Sequence, residues 1–469
     1  MIASGHPYQV LSPAEEDAVH RNVLRIADEV GLQVENDGLL ERMAAIGGRV
    51  HRADRRVTFS PAAVEAFISE SERADYGARR PRLRCAVDIY YGHYLDPRND
   101  KFLPMTVARA RDYLRVARGL PRVDSMGMLG CPLEDIPPAA EPLYERYWSW
   151  RLGIDPGGSI HRIELCPFIL EMCQVHAAHT GRPEAEVFKG GVYLVPPLKL
   201  GYQEAEHVAW FLERGLRVGV GGSMATGGAT APVTLAGMVT LTIAECLLVG
   251  MLNRALYGDR SWRVWMSATA LDPRTMFRPY GRPDMALANL AAAQMARRYG
   301  VWGSGHTGLS DAPYPSPEAA AQKVISTLPA LMALGAGAIQ AGLLAVDEVF
   351  SPVQMVLDHE LTRALDQFTR EYEFSDESIA ADVIAAVGPG GNFMAEPHTV
   401  AWLRRELWQP ELWERRGFSA WLSGDRRTDV DRARERVLDI LDSEPPADAI
   451  GQDETRELQR IIDRAKDRE

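Results

Sequence analysis

Short β-rich runs in this chain end repeatedly on aromatic, histidine or hydroxyl residues. "CAVDIYYGHYL" carries Tyr94 and leads to Asp96, "GGSIHRI" carries His161 and Arg162, and "KGGVYLV" carries Tyr193. "RVWMSAT" carries Trp265 and Ser267, and "GVWGSGH" ends on His306 just before Thr307. Cys131, Met224 and Gln340 stand at or just beyond three further runs, and Asp311 lies in the turn "GLSDAPYP". This inventory is rich in aromatics and poor in carboxylates, with no obvious acid/base pair and no GxSxG nucleophile elbow. One ligand class suits it. A quaternary ammonium offers diffuse positive charge without N–H donors, and aromatic faces attract it through their quadrupoles.

The stretch "GGATAPVTLAG" (227–237) has the glycines of a phosphate loop but no lysine and no G-K-[ST] ending. Gly227, Gly228 and Thr230 are therefore candidates for a different task, leaving room for a bulky cofactor or offering backbone N–H groups to an anion. For a donor with a carboxylate, Arg162, His306 and this turn are the candidate partners.

Eight such runs, 85–95, 122–130, 157–163, 189–195, 216–222, 263–269, 300–306 and 337–343, alternate with helical stretches. Eight strand–helix repeats predict an α/β fold with a parallel sheet closed into a TIM (β/α)8 barrel, whose site lies at the carboxyl ends of the strands. The first run also reads as a hairpin, and the eighth strand would then fall near 383–393. The domain reading is an N-terminal helical extension over 1–84, the barrel over 85–387, and a C-terminal cap and helical tail over 388–469. In the extension, Ser12, Pro13 and Glu15 form a helix start, and the unit has no chemical residue; packing or oligomerisation is its expected task, giving a homo-oligomer.

The chain has 469 residues and a net charge of −12, which disfavours nucleic acid or an anionic membrane as partner. Its five cysteines make no CxxC pair and no zinc-ligand spacing, so no tightly bound metal is expected. No basic-then-apolar leader opens the sequence, and a cytoplasmic protein is expected. The segment 231–252 is long and apolar enough to span a bilayer, yet is rich in Thr, Gly and Ala; a buried helix is the expectation.

The motifs "GGATAPVTLAGMVTLTIAE" (227–245), "DPRTMFRPYGRPDMALANLAAAQMARRYG" (272–300), "SPVQMVLDHEL" (351–361) and "VGPGGNFMAEPHTVAWLRRELWQPELWERRGFSAWL" (387–422), in this order, resemble the trimethylamine methyltransferase family. The resemblance covers nearly the whole chain. It implies a TIM barrel, a methylated amine substrate, and a corrinoid (cobalamin) held by a separate small protein, whose Co(I) accepts the methyl group. Trimethylamine enzymes of the family carry pyrrolysine; this sequence has only standard residues and so resembles the branch that acts on quaternary amines such as glycine betaine. The candidate substrate-binding set is then Tyr94, His161, Arg162, Tyr193, Trp265, His306 and Asp311, with Phe393 and His398 from the last motif. Gly227, Gly228 and Thr230 are the corrinoid-facing candidates. The segment "SDAPYPSPEAAAQK" departs from the family pattern, with Pro313 at a lysine position, and Asp284 stands where glutamate is common. A barrel that binds a methylated amine without chemistry and an enzyme with another methyl donor are the alternatives.

Overall fold

The computed structural model describes residues 9–77, 81–90, 92–130, 133–222 and 224–466. Cys131 lies outside them. The chain is α/β. Eight short strands, each followed by helical chain, run in sequence order: Arg82–Ile89, Ser125–Met128, Asp155–Pro156, Gly191–Tyr193, Gly219–Gly221, Arg263–Met266, Trp302–Gly305 and Ala336–Gln340. All ladders among them are parallel and fall in three arcs. The eighth, first, second and third strands form one sheet, the fourth pairs with the fifth, and the sixth with the seventh.

The junctions between arcs are thinner. Gly191 N donates to Gly158 O at 3.1 Å between the third and fourth strands. Beyond the fifth and sixth strands, Thr226–Gly227 pairs in parallel with Thr269–Ala270. Between the seventh and eighth, the Thr307 hydroxyl donates to Ala338 O and accepts from Ala338 N.

Residue type explains the local starts and stops. Ser12, Thr106, Thr234, Ser316 and Ser351 cap helices through their side-chain oxygens, and Ser12 forms the expected reciprocal pair with Glu15. Gly300 and Gly335 end two helices at φ 67° and 64°, and each turns the chain directly into the next strand. Along the first strand Leu83, Cys85, Val87 and Ile89 join the core, while Asp88 and Tyr90 remain half-buried.

The expected first strand divides. Arg82–Ile89 enters the main sheet, whereas His93–Leu95 forms a hairpin with Phe102–Pro104. The hairpin reading thus holds for the second half only, and 383–393 supplies no strand: Ala381–Val387 is helical. The N-terminal unit is not purely helical. Leu32–Val34, Arg49–His51 and Arg56–Thr58 form a sheet that also takes in Lys199–Leu200.

The apolar helix Leu235–Tyr257 has 78% of its most hydrophobic window buried inside the molecule. At the C-terminus, helix Asp429–Asp442 lays Ala433 and Val437 against the outer helices, and Gln452–Lys466 does so with Leu458, Ile461 and Ile462. His176 stacks on Trp150 at 4.2 Å and meets the Glu454 carboxylate at 2.5 Å, tying the last helix down.

Candidate active site

Side chains from five of the eight strand ends or the loops after them meet at one place. His306, just past the seventh strand, lies 4.9 Å from the Tyr280 ring and 6.2 Å from Trp265 of the sixth strand, centroid to centroid. Its Nδ1 is 3.1 Å from the Ser267 hydroxyl. Arg278 Nη2 donates to that hydroxyl at 3.0 Å and also to Ser267 O, with its guanidinium 4.9 Å from the Tyr280 ring. Because the Ser267 oxygen accepts from Arg278, its own proton is free to go to His306 Nδ1, leaving Nε2 as the imidazole's N–H. Tyr90, at the end of the first strand, shares this electrostatic neighbourhood with Asp88, Tyr193, Tyr280 and Asp347.

Burial sets the charge states. It pushes the Asp88 carboxyl up to about 6 and that of Asp347 to about 7, and neither accepts a hydrogen bond among the described residues. Arg84 pulls Asp88 partly back, and Arg278 does the same for Asp347, which Glu348 raises further. His306 is pushed down to about 4, by burial first and the Arg278 charge second, so it is neutral near pH 7.

Backbone geometry presents these groups. Asp88 faces Gly127 on the second strand, and a Cβ there would come within 2.6 Å of the Asp88 carboxylate. Asp347 sits at the end of three successive left-handed residues, Ala345, Val346 and Asp347 (φ 48°, 58° and 72°). Left-handed backbone at a β-branched residue is strained, about 1–2 kcal/mol, and it holds because Ala345 N and Val346 N bond to Ala312 O and Ser310 O. Beneath, fully buried Lys323 and Asp358 meet at 2.5 Å; Lys323 also bonds Gln340 O and Asp358 accepts from Gly342 N, fixing the end of the eighth strand.

Of the residues expected from sequence, Tyr193, Trp265 and His306 are brought to this cluster. Asp311 is placed differently: its carboxylate accepts from Tyr280 N at 2.6 Å and Gly281 N at 2.9 Å, so it positions the Tyr280 loop. Tyr94 is buried in the hairpin, among Asp96, Asp112, Arg98 and Arg109. The tyrosine that the first strand brings to the cluster is Tyr90. His161 and Arg162 occupy the loop after the third strand, where His161 lies 3.8 Å from Glu141 and Arg162 bonds Ala139 O. Phe393 and His398 belong to the C-terminal segment; Phe393 O accepts from Thr399 and His398 stacks on Trp402.

Gly227 is buried, and a Cβ would meet Met238 Sδ at 2.5 Å and Pro232 O at 3.2 Å. Packing explains that glycine better than cofactor clearance. Thr230 is likewise structural, its hydroxyl accepting from Thr226 N at 3.0 Å. Gly228 and Ala229 remain exposed.

The expectation of a carboxylate-poor site is corrected by Asp88 and Asp347. Sequence reading missed them, together with Arg278, Tyr280 and Tyr90. Asp88 had a usable signal: it breaks the apolar first strand at a position of inward parity. Asp347 and Arg278 had none, because long loops bring them in. Among the described residues no three His, Cys, Asp or Glu side chains gather as a metal site. The four described cysteines are free and buried, and burial pushes Cys85 and Cys246 up to about 12, which leaves them as packed thiols.

Aromatic faces, carboxylates and a neutral imidazole thus meet at the ends of parallel strands. The chain belongs to the trimethylamine methyltransferase family of methyltransferases, whose model, "Trimethylamine methyltransferase (MTTB)", matches residues 2–469. It is 26% identical to a trimethylamine methyltransferase MttB of Desulfitobacterium hafniense, covering 93% of this chain and 90% of that protein. It is 25% identical to a glycine betaine methyltransferase of the same species, covering 94% of each. Among solved structures, the monomethylamine methyltransferase of Methanosarcina barkeri aligns over 91% of this chain and 92% of its own, with 12% identity and a TM-score of 0.39.

Proposed function

We propose that the protein removes a methyl group from a quaternary or other methylated amine and passes it to the Co(I) of a corrinoid carried by a separate small protein. The observation that carries this reading is the convergence of Tyr90, Trp265 and Tyr280 with the Asp88 and Asp347 carboxyls, which accept no hydrogen bond among the described residues. Aromatic faces and carboxylates attract a methylated ammonium that offers no N–H of its own. We read the eight strands as a (β/α)8 barrel, supported by their order, their parallel pairing and the few contacts at the junctions between arcs.

The corrinoid would supply the nucleophile, so the protein's residues need only bind, orient and exclude water. Trp265 and Tyr280 hold the ammonium, Asp88 and Asp347 balance its charge, and Ser267 fixes the His306 ring that closes one side. The strand ends and the loops after them expose Tyr193 (62%), Met224 (46%) and Met276 (71%), a surface suited to the apolar face of a planar macrocycle. Gly228 and Ala229 lie exposed in the loop that follows Met224.

Anaerobic incubation with Co(I) cobalamin tests this, using tetramethylammonium, choline, glycine betaine, carnitine and trimethylamine as donors. The expected result is the absorbance of methylcobalamin with at least one quaternary donor. Tight donor binding without methylcobalamin from any of them would contradict methyl transfer and leave a binding protein.

A further inference from the structure

We propose that Arg278 reads an anionic group on the methylated donor, so that the site selects an ammonium carboxylate over a purely cationic amine; this rests on the methyl-transfer reading above. The guanidinium is half-buried beside Tyr280, whose hydroxyl helps to hold its charge, and its Nη2 donates to Ser267. Its Nε and Nη1 are buried without a well-formed hydrogen bond among the described residues. Buried donors left unpaired cost free energy, and a buried cation costs more, so such a group persists where a ligand completes it.

The nearest acid does not complete it. Asp347 feels the Arg278 charge but makes no hydrogen bond to it, and the carboxyl is held by strained backbone aimed into the same cluster. Burial lowers the Arg278 guanidinium only from its very high ordinary value, so it stays charged. The site thus carries a cationic donor on one loop and aromatic and acidic groups around it. That polarity matches a molecule whose ammonium and carboxylate are a few bonds apart. Nothing in the sequence marked Arg278 for this task; Arg162, the arginine that sequence favoured, is bound to Ala139 O instead.

Calorimetry on the full chain, with wild type, Arg278→Gln and Arg278→Lys, tests the assignment with three probes. Glycine betaine carries both charges, choline only the ammonium, and 3,3-dimethylbutyrate only the carboxylate on the same carbon frame. In wild type both carboxylates bind, and Arg278→Gln weakens each by about 10- to 100-fold while choline binding changes less than about threefold. Arg278→Lys keeps the charge and recovers part of the loss, and retained choline binding shows that the variants are folded. Equal weakening of all three probes, or unchanged carboxylate binding in Arg278→Gln, overturns the proposal. Methyl transfer from choline with no carboxylate binding also overturns it, while leaving the methyltransferase reading intact. Carboxylate binding that depends on Arg278, without methylcobalamin from any donor, supports Arg278 and sinks the methyltransferase reading.

Discussion

At the scale of single residues, the charge state of Asp347 is the most testable feature. Its carboxyl ionises at about 7 because it is buried and stands beside Glu348. Below that pH it is neutral and offers a cation little; above it the anion attracts the donor's ammonium. Affinity for a quaternary amine is therefore expected to rise as pH climbs from 6 to 8, and Asp347→Asn should flatten that rise. Titration calorimetry across the range checks it, and an unchanged slope in the variant would remove Asp347 from the site. His306 does not contribute to this window, since it protonates only near 4. Trp265, Tyr193 and His306 were legible in the sequence because each lies in or closes a β-rich run. Tyr94 misled for the same reason: the run continues past a break at Gly92, and the hairpin carries that tyrosine away from the site.

At the scale of elements, seven of the eight strand positions follow directly from the alternation of β-rich runs with capped helices. The third expectation, 157–163, holds no strand: the strand lies just before it, at Asp155–Pro156, and Ile163–Leu165 is a short helical turn. What sequence could not give is the content of the loops. Arg278, Tyr280 and Asp347 reach the site through turns whose shape depends on distant partners such as Asp311 and Ser310. Two glycines separate packing from function. Gly127→Ala should place a methyl against the Asp88 carboxylate. A clear loss of donor affinity with a melting temperature within about 3 °C of wild type is expected, and wild-type affinity would show that Asp88 has no part in binding. Gly227→Leu is a different case. Its Cβ would strike Met238 and Pro232, so soluble yield, donor binding and activity should fall together. A folded Gly227→Leu protein that binds donor but fails only in methyl transfer would restore the corrinoid-clearance view of that loop.

For the whole molecule, buried charge ties the scaffold to the site. Lys323 and Asp358 are fully buried and hold both sides of the eighth strand's end, from which the chain proceeds to Asp347. Lys323→Met leaves the Asp358 carboxyl buried and unpaired, and a loss of about 3–5 kcal/mol in chemical denaturation is expected. A loss below about 1 kcal/mol would mean that the pair does not brace the sheet. The C-terminal helices were legible as charged and amphipathic, but their docking on the outer helices was not: His176 and Glu454, for example, meet from 278 residues apart, which leaves no local pattern.

The claim on which the rest depends is that the methyl group leaves the amine intact and arrives on cobalt. A single-turnover reaction with methyl-deuterated glycine betaine and Co(I) cobalamin, read by mass spectrometry, tests it directly. One CD3 recovered on cobalamin for each N-methyl lost from the amine is the predicted result. Label retained wholly on the amine, with the protein folded and donor bound, would contradict it.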